Sequence, residues 1–216
     1  ITLAPSGVQE MLDLTYTAFE LADKDRVTSM ILSDGILGQM MEPIDISPKP
    51  PVDLPAKDWA LTGTRGKRPA NLVNSIYLQP EELERLTQER FERYKEIEEN
   101  EVRYETYLAE DAEVLVVAYG ATSRIARNAV DEMRAEGIKA GLFRPITVWP
   151  FPKKALYELA QNAKALVAVE MSMGQMVEDV ELAIRCCRPV LLCSRTGGMV
   201  PLPSEIAEKI REAASL

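Results

Sequence analysis

The feature that most constrains the fold is a fourfold alternation that begins at Glu113. Four short apolar runs, EVLVVAYG, IKAGLFRP, KALVAVEM and PVLLCSR, are each followed by a segment of helical spacing: TSRIARNAVDEMRAEG, PKKALYELAQNA, GQMVEDVELAIR and PSEIAEKIREAA. A strand that is apolar at consecutive positions needs cover on both faces. Strands alternating with helices give a mostly parallel sheet with helices on each side. The expectation is a complete three-layer α/β domain over residues 112–216. Thr122 or Ser123 is placed to cap its first helix, and Gly137 to stop it.

Upstream the pattern is less complete. Residues 6–22 read as a helix, with Ser6 as N-cap, Glu10 early, and Val8, Met11, Leu12, Thr15, Phe19 and Ala22 on one stripe. Residues 27–32 read as a short buried strand. Such a piece is too small to close its own core, so residues 1–57 are expected to be the tail of another α/β domain whose front lies upstream of Ile1. Pro43, Pro48, Pro50, Pro51 and Pro55 exclude a helix or central strand there and predict a stiff, extended connector. Residues 58–111 read as connector plus a long charged helix. Its TGTRGKRP loop lacks the spacing of a phosphate loop. Pro80 suits a first helical position, and Glu81, Glu82 and Glu84 suit the helix dipole. Glu81–Arg85, Glu89–Arg93 and Glu99–Arg103 are spaced as ion pairs. Leu83, Leu86, Phe91, Tyr94, Ile97 and Leu108 sketch an apolar stripe. Carried to Glu110, this helix would reach roughly 45 Å and lie between or beside two bodies.

Charge and residue types narrow the function. The net charge of −9 argues against nucleic acid as a partner. The stretch from Pro80 to Glu110 holds 11 acidic and 5 basic side chains, so the remaining surface is near neutral. No apolar run reaches the roughly 18 residues of a membrane span, and no secretory signal is visible, so a cytoplasmic setting is expected. The absence of histidine removes the usual triads and the commonest metal ligand. Cys186, Cys187 and Cys193 fit neither zinc nor iron–sulfur spacing and read as buried, reduced thiols. No metal site is expected in this chain.

Four turns could carry function. Open α/β sheets bind ligands beyond the carboxyl ends of their strands. YGATSRIA places Gly120, Thr122 and Ser123 at a helix N-terminus, a possible anion site. VEMSMGQM carries Glu170, Gly174 and Gln175. SRTGGMVP carries Gly197 and Gly198. The fourth turn, ILSDGILGQMMEP, holds Asp34, Gly35, Gly38, Gln39, Met40, Met41 and Glu42. Here the glycines would permit a tight path and the methionines would supply adaptable contact. None carries a dinucleotide fingerprint, and connections of this kind are Gly-rich for geometric reasons alone.

Taken in order, LSDGILGQMMEP, the proline-rich connector, the charged helix and VVAYGATSRIARNAV, GLFRPITVWPFP and VAVEMSMGQM resemble the α subunit of 2-oxoacid:ferredoxin oxidoreductases. The similarity is to the 2-ketoisovalerate or 2-oxoglutarate type and spans essentially the whole chain. The resemblance implies the tail of a thiamine diphosphate pyrimidine-binding domain over residues 1–57 and a transketolase C-terminal-like domain over 112–216. It implies oxidative decarboxylation of a 2-oxoacid to an acyl-CoA, with electrons passed to ferredoxin. Thiamine diphosphate and Mg²⁺ would be held by a β subunit, and iron–sulfur clusters by β and further subunits. Coenzyme A would accept the acyl group. No residue matches the glutamate that activates the aminopyrimidine, so no catalytic residue is carried over and the chain by itself is expected to be inactive. Asp34 to Glu42 would shape a surface facing the cofactor and β, and self-association near residues 32–44 is expected. A non-catalytic assembly module is the alternative; a nucleotide-binding protein using Gly120 to Ser123 is a third reading.

Overall fold

The computed structural model describes residues 1–48, 50 and 52–216. The first elements are β1 (Thr2–Leu3), α1 (Val8–Asp25), β2 (Met30–Ile31) and α2 (Gly35–Gln39). After residues 40–79, whose described positions form neither helix nor strand, come α3 (Pro80–Asn100), β3 (Tyr104–Tyr107), β4 (Val114–Ala118), α4 (Ala121–Ala135), β5 (Ala140–Pro145) and β6 (Thr147–Trp149). The chain closes with α5 (Lys153–Ala160), β7 (Ala165–Glu170), α6 (Gln175–Ala183), β8 (Val190–Ser194) and α7 (Pro203–Ala214).

The main sheet has the order β3-β5-β4-β7-β8, parallel throughout except for β3, which pairs antiparallel with β5. Successive residues of a strand face opposite ways, and the core divides accordingly. Val114, Val116 and Ala118 pack with Ala126, Val130 and Met133 of α4 and Ile206 and Ile210 of α7. Leu115 and Val117 pack on the other side with Leu156 of α5 and Met176 and Val180 of α6. Two apolar layers therefore account for the unbroken apolar runs, and the fold is a mostly parallel three-layer α/β sheet. Helix α4 stops at Gly137, whose φ of +89° lets its N–H reach Arg134 O while Ile138 N–H reaches Met133 O. Gly141 of β5 marks a close backbone approach. A Cβ there would lie 2.4 Å from Leu108 O.

The smaller sheet has the order β2-β1-β6. β1 pairs parallel with β2 and antiparallel with β6, so three residues that follow β5 complete the sheet begun at Thr2. Ile1, Leu3, Leu14, Ala18, Leu21 and Ile97 form its core. Helix α3 covers this core with Ile97 and with Tyr94, whose ring meets Trp149 edge-on at 5.5 Å. Polar ties join the same parts. Arg144 at the end of β5 is buried, grips the Glu10 carboxylate with both terminal nitrogens and meets Ser6 Oγ. Its Nε lies 3.3 Å from Glu105 Oε2, close enough for attraction but not aligned as a hydrogen bond. Buried Glu101 is held by Lys24, with Arg103 3.8 Å away.

Several expectations need correction. Helix α1 starts at Val8 with Gly7 as N-cap; Ser6 instead gives its N–H and hydroxyl to Glu10. Its buried face is Leu14, Ala18 and Leu21, while Phe19 and Thr15 are exposed, because the partner sheet lies on the other side of the stripe. The strand expected over residues 27–32 is only Met30–Ile31. Helix α3 ends at Asn100, since residues 104–107 are drawn into the main sheet as β3. Glu99 and Arg103 therefore share no helix, and the exposed pairs that form are Arg85 with Glu82 and Glu89, and Lys95 with Glu92. Leu83, Phe91 and Leu108 of the expected stripe are exposed. Cys193 is buried, but Cys186 and Cys187 are exposed just after α6. The connector has neither helix nor strand at its described prolines; Pro51 lies outside the described residues.

Candidate functional site

From β4 the chain moves to one side, to β5, and then crosses back to β7, so the strand order reverses between β4 and β7. The crevice at such a reversal is where open α/β sheets hold ligands. Here Tyr119, Gly120 and Thr122 leave β4, and Glu170, Met171 and Ser172 end β7. With Leu32, Ser33 and Asp34 they line a cavity of about 130 Å³. A second cleft of about 440 Å³ opens beside it, lined by Asp34, Gly35, Ile36, Gln39, Met171, Thr196, Gly198 and Met199. Asp34 and Met171 belong to both. The turn at Asp34 and all three strand-end loops thus meet at one place, although 164 residues separate Asp34 from Gly198 in sequence.

Asp34 makes the junction. Its Oδ1 accepts the Leu37 N–H at 2.8 Å and caps α2. Its Oδ2 accepts the Ala121 N–H at 3.3 Å, the first residue of α4. The anion site expected at Gly120 to Ser123 is therefore met by a carboxylate of the chain itself. Gly120 is the N-cap of α4 at φ +61° and ψ −145°, backbone open essentially only to glycine. Thr122 and Ser123 do not cap the helix: their hydroxyls donate back to Tyr119 O and Gly120 O, each at 2.7 Å. Farther along the turn, Glu42 accepts from Val8 N–H at 3.1 Å and from Arg124 at 2.7 Å, and Arg124 also lies 3.2 Å from Met40 Sδ. Residues 34–42 are in this way bound to the first turn of α4 and, through Val8, to the start of α1.

Glu170 is 2% exposed. Its carboxylate accepts from Ser172 Oγ, from Met176 N–H at 3.1 Å and from Val177 N–H at 3.2 Å. It therefore serves the N-terminus of α6, where the dipole favours negative charge. Gly174 is the N-cap residue of α6, and the Gln175 side chain turns back to accept the Met173 N–H at 2.8 Å. Burial, then the Glu170, Asp34 and Asp179 carboxylates, push the Tyr119 phenol above its ordinary value and keep it protonated.

Gly38, Met40, Met41, Glu42, Ser123, Gly174, Gln175 and Gly197 lie outside the two linings. Met41 is 96% exposed. Gly35 and Gly38 are helical residues at which a Cβ would meet nothing within 4 Å, so the path does not depend on their being glycine. Tyr119, Met171, Thr196 and Met199 were missed by sequence reasoning; each adjoins a strand-end glycine or Glu170, and neighbourhood was the only available signal. Among the described residues no group of three His, Cys, Asp or Glu could hold a metal ion. No helix there is long and apolar enough to cross a membrane.

Residues 112–206 match the pyruvate:ferredoxin oxidoreductase core domain II. Over 214 residues the chain is 50% identical to the ketoisovalerate oxidoreductase subunit VorB of Methanothermobacter marburgensis, a match covering 99% of this chain and 60% of that protein. Residues 112–206 thus belong to that core-domain family, and the chain as a whole is similar to subunits of 2-oxoacid oxidoreductases. It is 32% identical to the 2-oxoglutarate synthase subunit KorA of the same organism, over 97% of this chain and 63% of that protein. The chain thus spans about three-fifths of the curated relatives it matches. In structure it is similar to the 2-oxoglutarate:ferredoxin oxidoreductase of Magnetococcus marinus, solved with 2-oxoglutarate, coenzyme A and succinyl-CoA, at a TM-score of 0.78 and 19% identity, over 99% of this chain and 42% of that one. At that identity the likeness is one of fold.

Proposed function

We propose that this chain is α-subunit sequence of an oxidoreductase that decarboxylates a branched-chain 2-oxoacid of the 2-ketoisovalerate kind, transfers the acyl group to coenzyme A and passes electrons to ferredoxin. The observation that carries this reading is the 50% identity with a ketoisovalerate oxidoreductase subunit, against 32% with a 2-oxoglutarate synthase subunit. The larger cleft is consistent with it. Ile36, Met171 and Met199 make it apolar, and among its described lining residues there is no Lys or Arg to pair a second carboxylate. We assign residues 1–57 to the tail of a pyrimidine-binding domain, 58–111 to connector and charged helix, and 112–216 to the transketolase C-terminal-like domain.

In this reading the chain positions and encloses; it does not perform bond chemistry. Asp34, Glu42 and Glu170 each spend their acceptors on the chain's own N–H groups, the Ser172 hydroxyl or Arg124. The crevice does not fit a diphosphate, because Asp34 already takes the Ala121 N–H and Glu170 faces the same cavity. Nor do the three cysteines fit an iron–sulfur cluster, since Cys193 is buried apart from the exposed pair. The family resemblance would place thiamine diphosphate, Mg²⁺ and the clusters on a β subunit and further subunits, and these residues are consistent with that. Met41, Met173 and Met199, exposed around the clefts, supply the adaptable apolar surface a neighbouring subunit would cover. A cytoplasmic location fits this chemistry. These spent carboxylates also favour the second reading, in which the chain serves assembly alone.

The test is made on the whole protein containing this chain, produced with its partner subunits. Coenzyme A-dependent viologen reduction should run faster, by kcat/KM, with 2-ketoisovalerate than with 2-oxoglutarate. Ile36→Asp should raise KM for the branched substrate while leaving assembly intact. No turnover of either acid by an assembled complex would refute the proposal.

A further inference from the structure

Cys186 and Cys187 are adjacent in sequence and both are exposed, on the turn that follows α6. Free cysteine is among the most often buried residue types, and Cys193 of β8 follows that rule. The exposed pair has no part in the strand-end crevice, since neither thiol lines either cleft there.

The turn is held from two sides. Arg185 and Cys186 have φ of +55° and +51°, left-handed backbone that residues other than glycine seldom adopt. Strain of this kind persists only where the surroundings impose it. The end of α6 does so here: the Arg185 N–H reaches Leu182 O at 3.2 Å, the Cys186 N–H reaches Glu181 O at 2.9 Å and the Cys187 N–H reaches Ile184 O at 3.2 Å. Towards α5, the Arg185 guanidinium lies over the Tyr157 ring at 4.8 Å, and Arg188 donates to Ala160 O at 3.2 Å and Gln161 O at 2.8 Å. The backbone of the pair is thus anchored, but its side chains are not. Cys186 Sγ lies 3.7 Å from Glu181 O and Cys187 Sγ 3.4 Å from Gln161 Nε2, contacts that sulfur makes weakly. Exposed side chains change rotamer within nanoseconds, so each sulfur is free to turn towards the other.

We propose that Cys186 and Cys187 form a reversible thiol–disulfide site whose co-reactant is a small-molecule disulfide. One cysteine thiolate attacks a sulfur of the small disulfide, forming a mixed disulfide and releasing one small thiolate. The neighbouring thiolate attacks the protein sulfur of that mixed disulfide, which closes the Cys186–Cys187 bond and releases the second small thiolate. The two cysteines are oxidised and the small disulfide is reduced; the two electrons and the two cysteine protons end on the released thiols. Adjacency makes the second step intramolecular, which favours it over attack on another small disulfide. Cys193 cannot serve as the resolving thiol, because it is buried in β8. Adjacent Cα atoms are about 3.8 Å apart, below the roughly 4.4 Å lower limit of ordinary disulfides. The closed ring is therefore strained, and excess thiol opens it again. This inference does not rest on the proposed activity.

The test uses the whole protein containing this chain, assembled with its partner subunits, reduced, and then exposed to excess oxidised glutathione. Remaining thiols are blocked with a maleimide on unfolding, and tandem mass spectrometry reads the peptide that carries Cys186, Cys187 and Cys193. Cys186 and Cys187 should be joined, with two hydrogens lost and no glutathione retained, while Cys193 takes the maleimide. Cys186→Ser and Cys187→Ser should each keep one glutathione on the remaining thiol of the pair. Excess reduced glutathione should return both thiols of the parent. A parent that keeps glutathione on either cysteine, that joins either sulfur to Cys193 or to another chain, or that leaves both thiols reduced overturns the proposal. A Cys186–Cys187 bond that excess reduced glutathione does not open overturns its reversibility, and the proposal with it.

Discussion

Replacing Glu170 separates two roles for a buried carboxylate at a strand end. In Glu170→Ala, the N–H groups of Met176 and Val177 lose their acceptor. Met176 is buried and Val177 half-buried. An orphaned buried donor costs about 1–3 kcal/mol, and the partly wetted Val177 sits at the low end. Loss of a charge at a helix N-terminus adds up to about 1 kcal/mol. The expected destabilisation is roughly 2–5 kcal/mol. Glu170→Gln retains one carbonyl acceptor and presents an amide to the other donor, for a cost of about 2 kcal/mol. Urea unfolding followed by circular dichroism measures both, with m unchanged and the midpoint lowered. A Glu170→Ala midpoint within about 0.5 kcal/mol of the parent would refute the capping role. If Glu170→Gln in the assembled enzyme abolished turnover at unchanged stability, the carboxylate would be chemical and not structural.

Two further outcomes follow from the same geometry. Burial pushes the Glu10 carboxyl up, but hydrogen bonds from Arg144 and Ser6 outweigh it, and the group sits below its ordinary value of 4.5. The stability it contributes is therefore present above pH 4.5 and is lost as pH falls through the depressed folded value. Glu10→Gln should flatten that part of the stability–pH curve, and an unchanged acid limb would contradict the pairing. Burial raises the Cys193 thiol, while Cys186 and Cys187 are exposed. A disulfide reagent should titrate two thiols at once and the third only on unfolding; rapid reaction of all three would show that β8 is not closed as described.

The sequence by itself determined the four parallel strands of the main sheet; the fifth, β3, reads in sequence as the end of the charged helix, because its pairing with β5 is decided only in the fold. The runs at Val114, Ala140, Ala165 and Val190 are apolar at successive positions, and each is followed by helical spacing, Gly137 included. Those signals are local, because strand period, helix period and a glycine stop act within a few residues. The family was legible for a related reason: its motifs are contiguous stretches. The smaller sheet was not legible. β1, β2 and β6 have two or three residues each and exist only because Thr2, Met30 and Trp149 meet. The buried face of α1 was misjudged for the same reason. Periodicity pointed to the stripe through Val8, Met11 and Phe19, and the position of Leu3 and Ile97 instead buries Leu14, Ala18 and Leu21.

The candidate site divides likewise. Strand-end loops could be named from the sequence, since parallel strands end their carboxyl groups on one edge. The partners of Asp34 and Glu170 could not. A carboxylate near a turn is equally suited to base, metal ligand or helix cap, and the nearest N–H decides among them. For Glu170 that N–H lies six residues on, across a turn; for Asp34 one of them lies 87 residues away, on a helix whose first turn the fold alone brings to it.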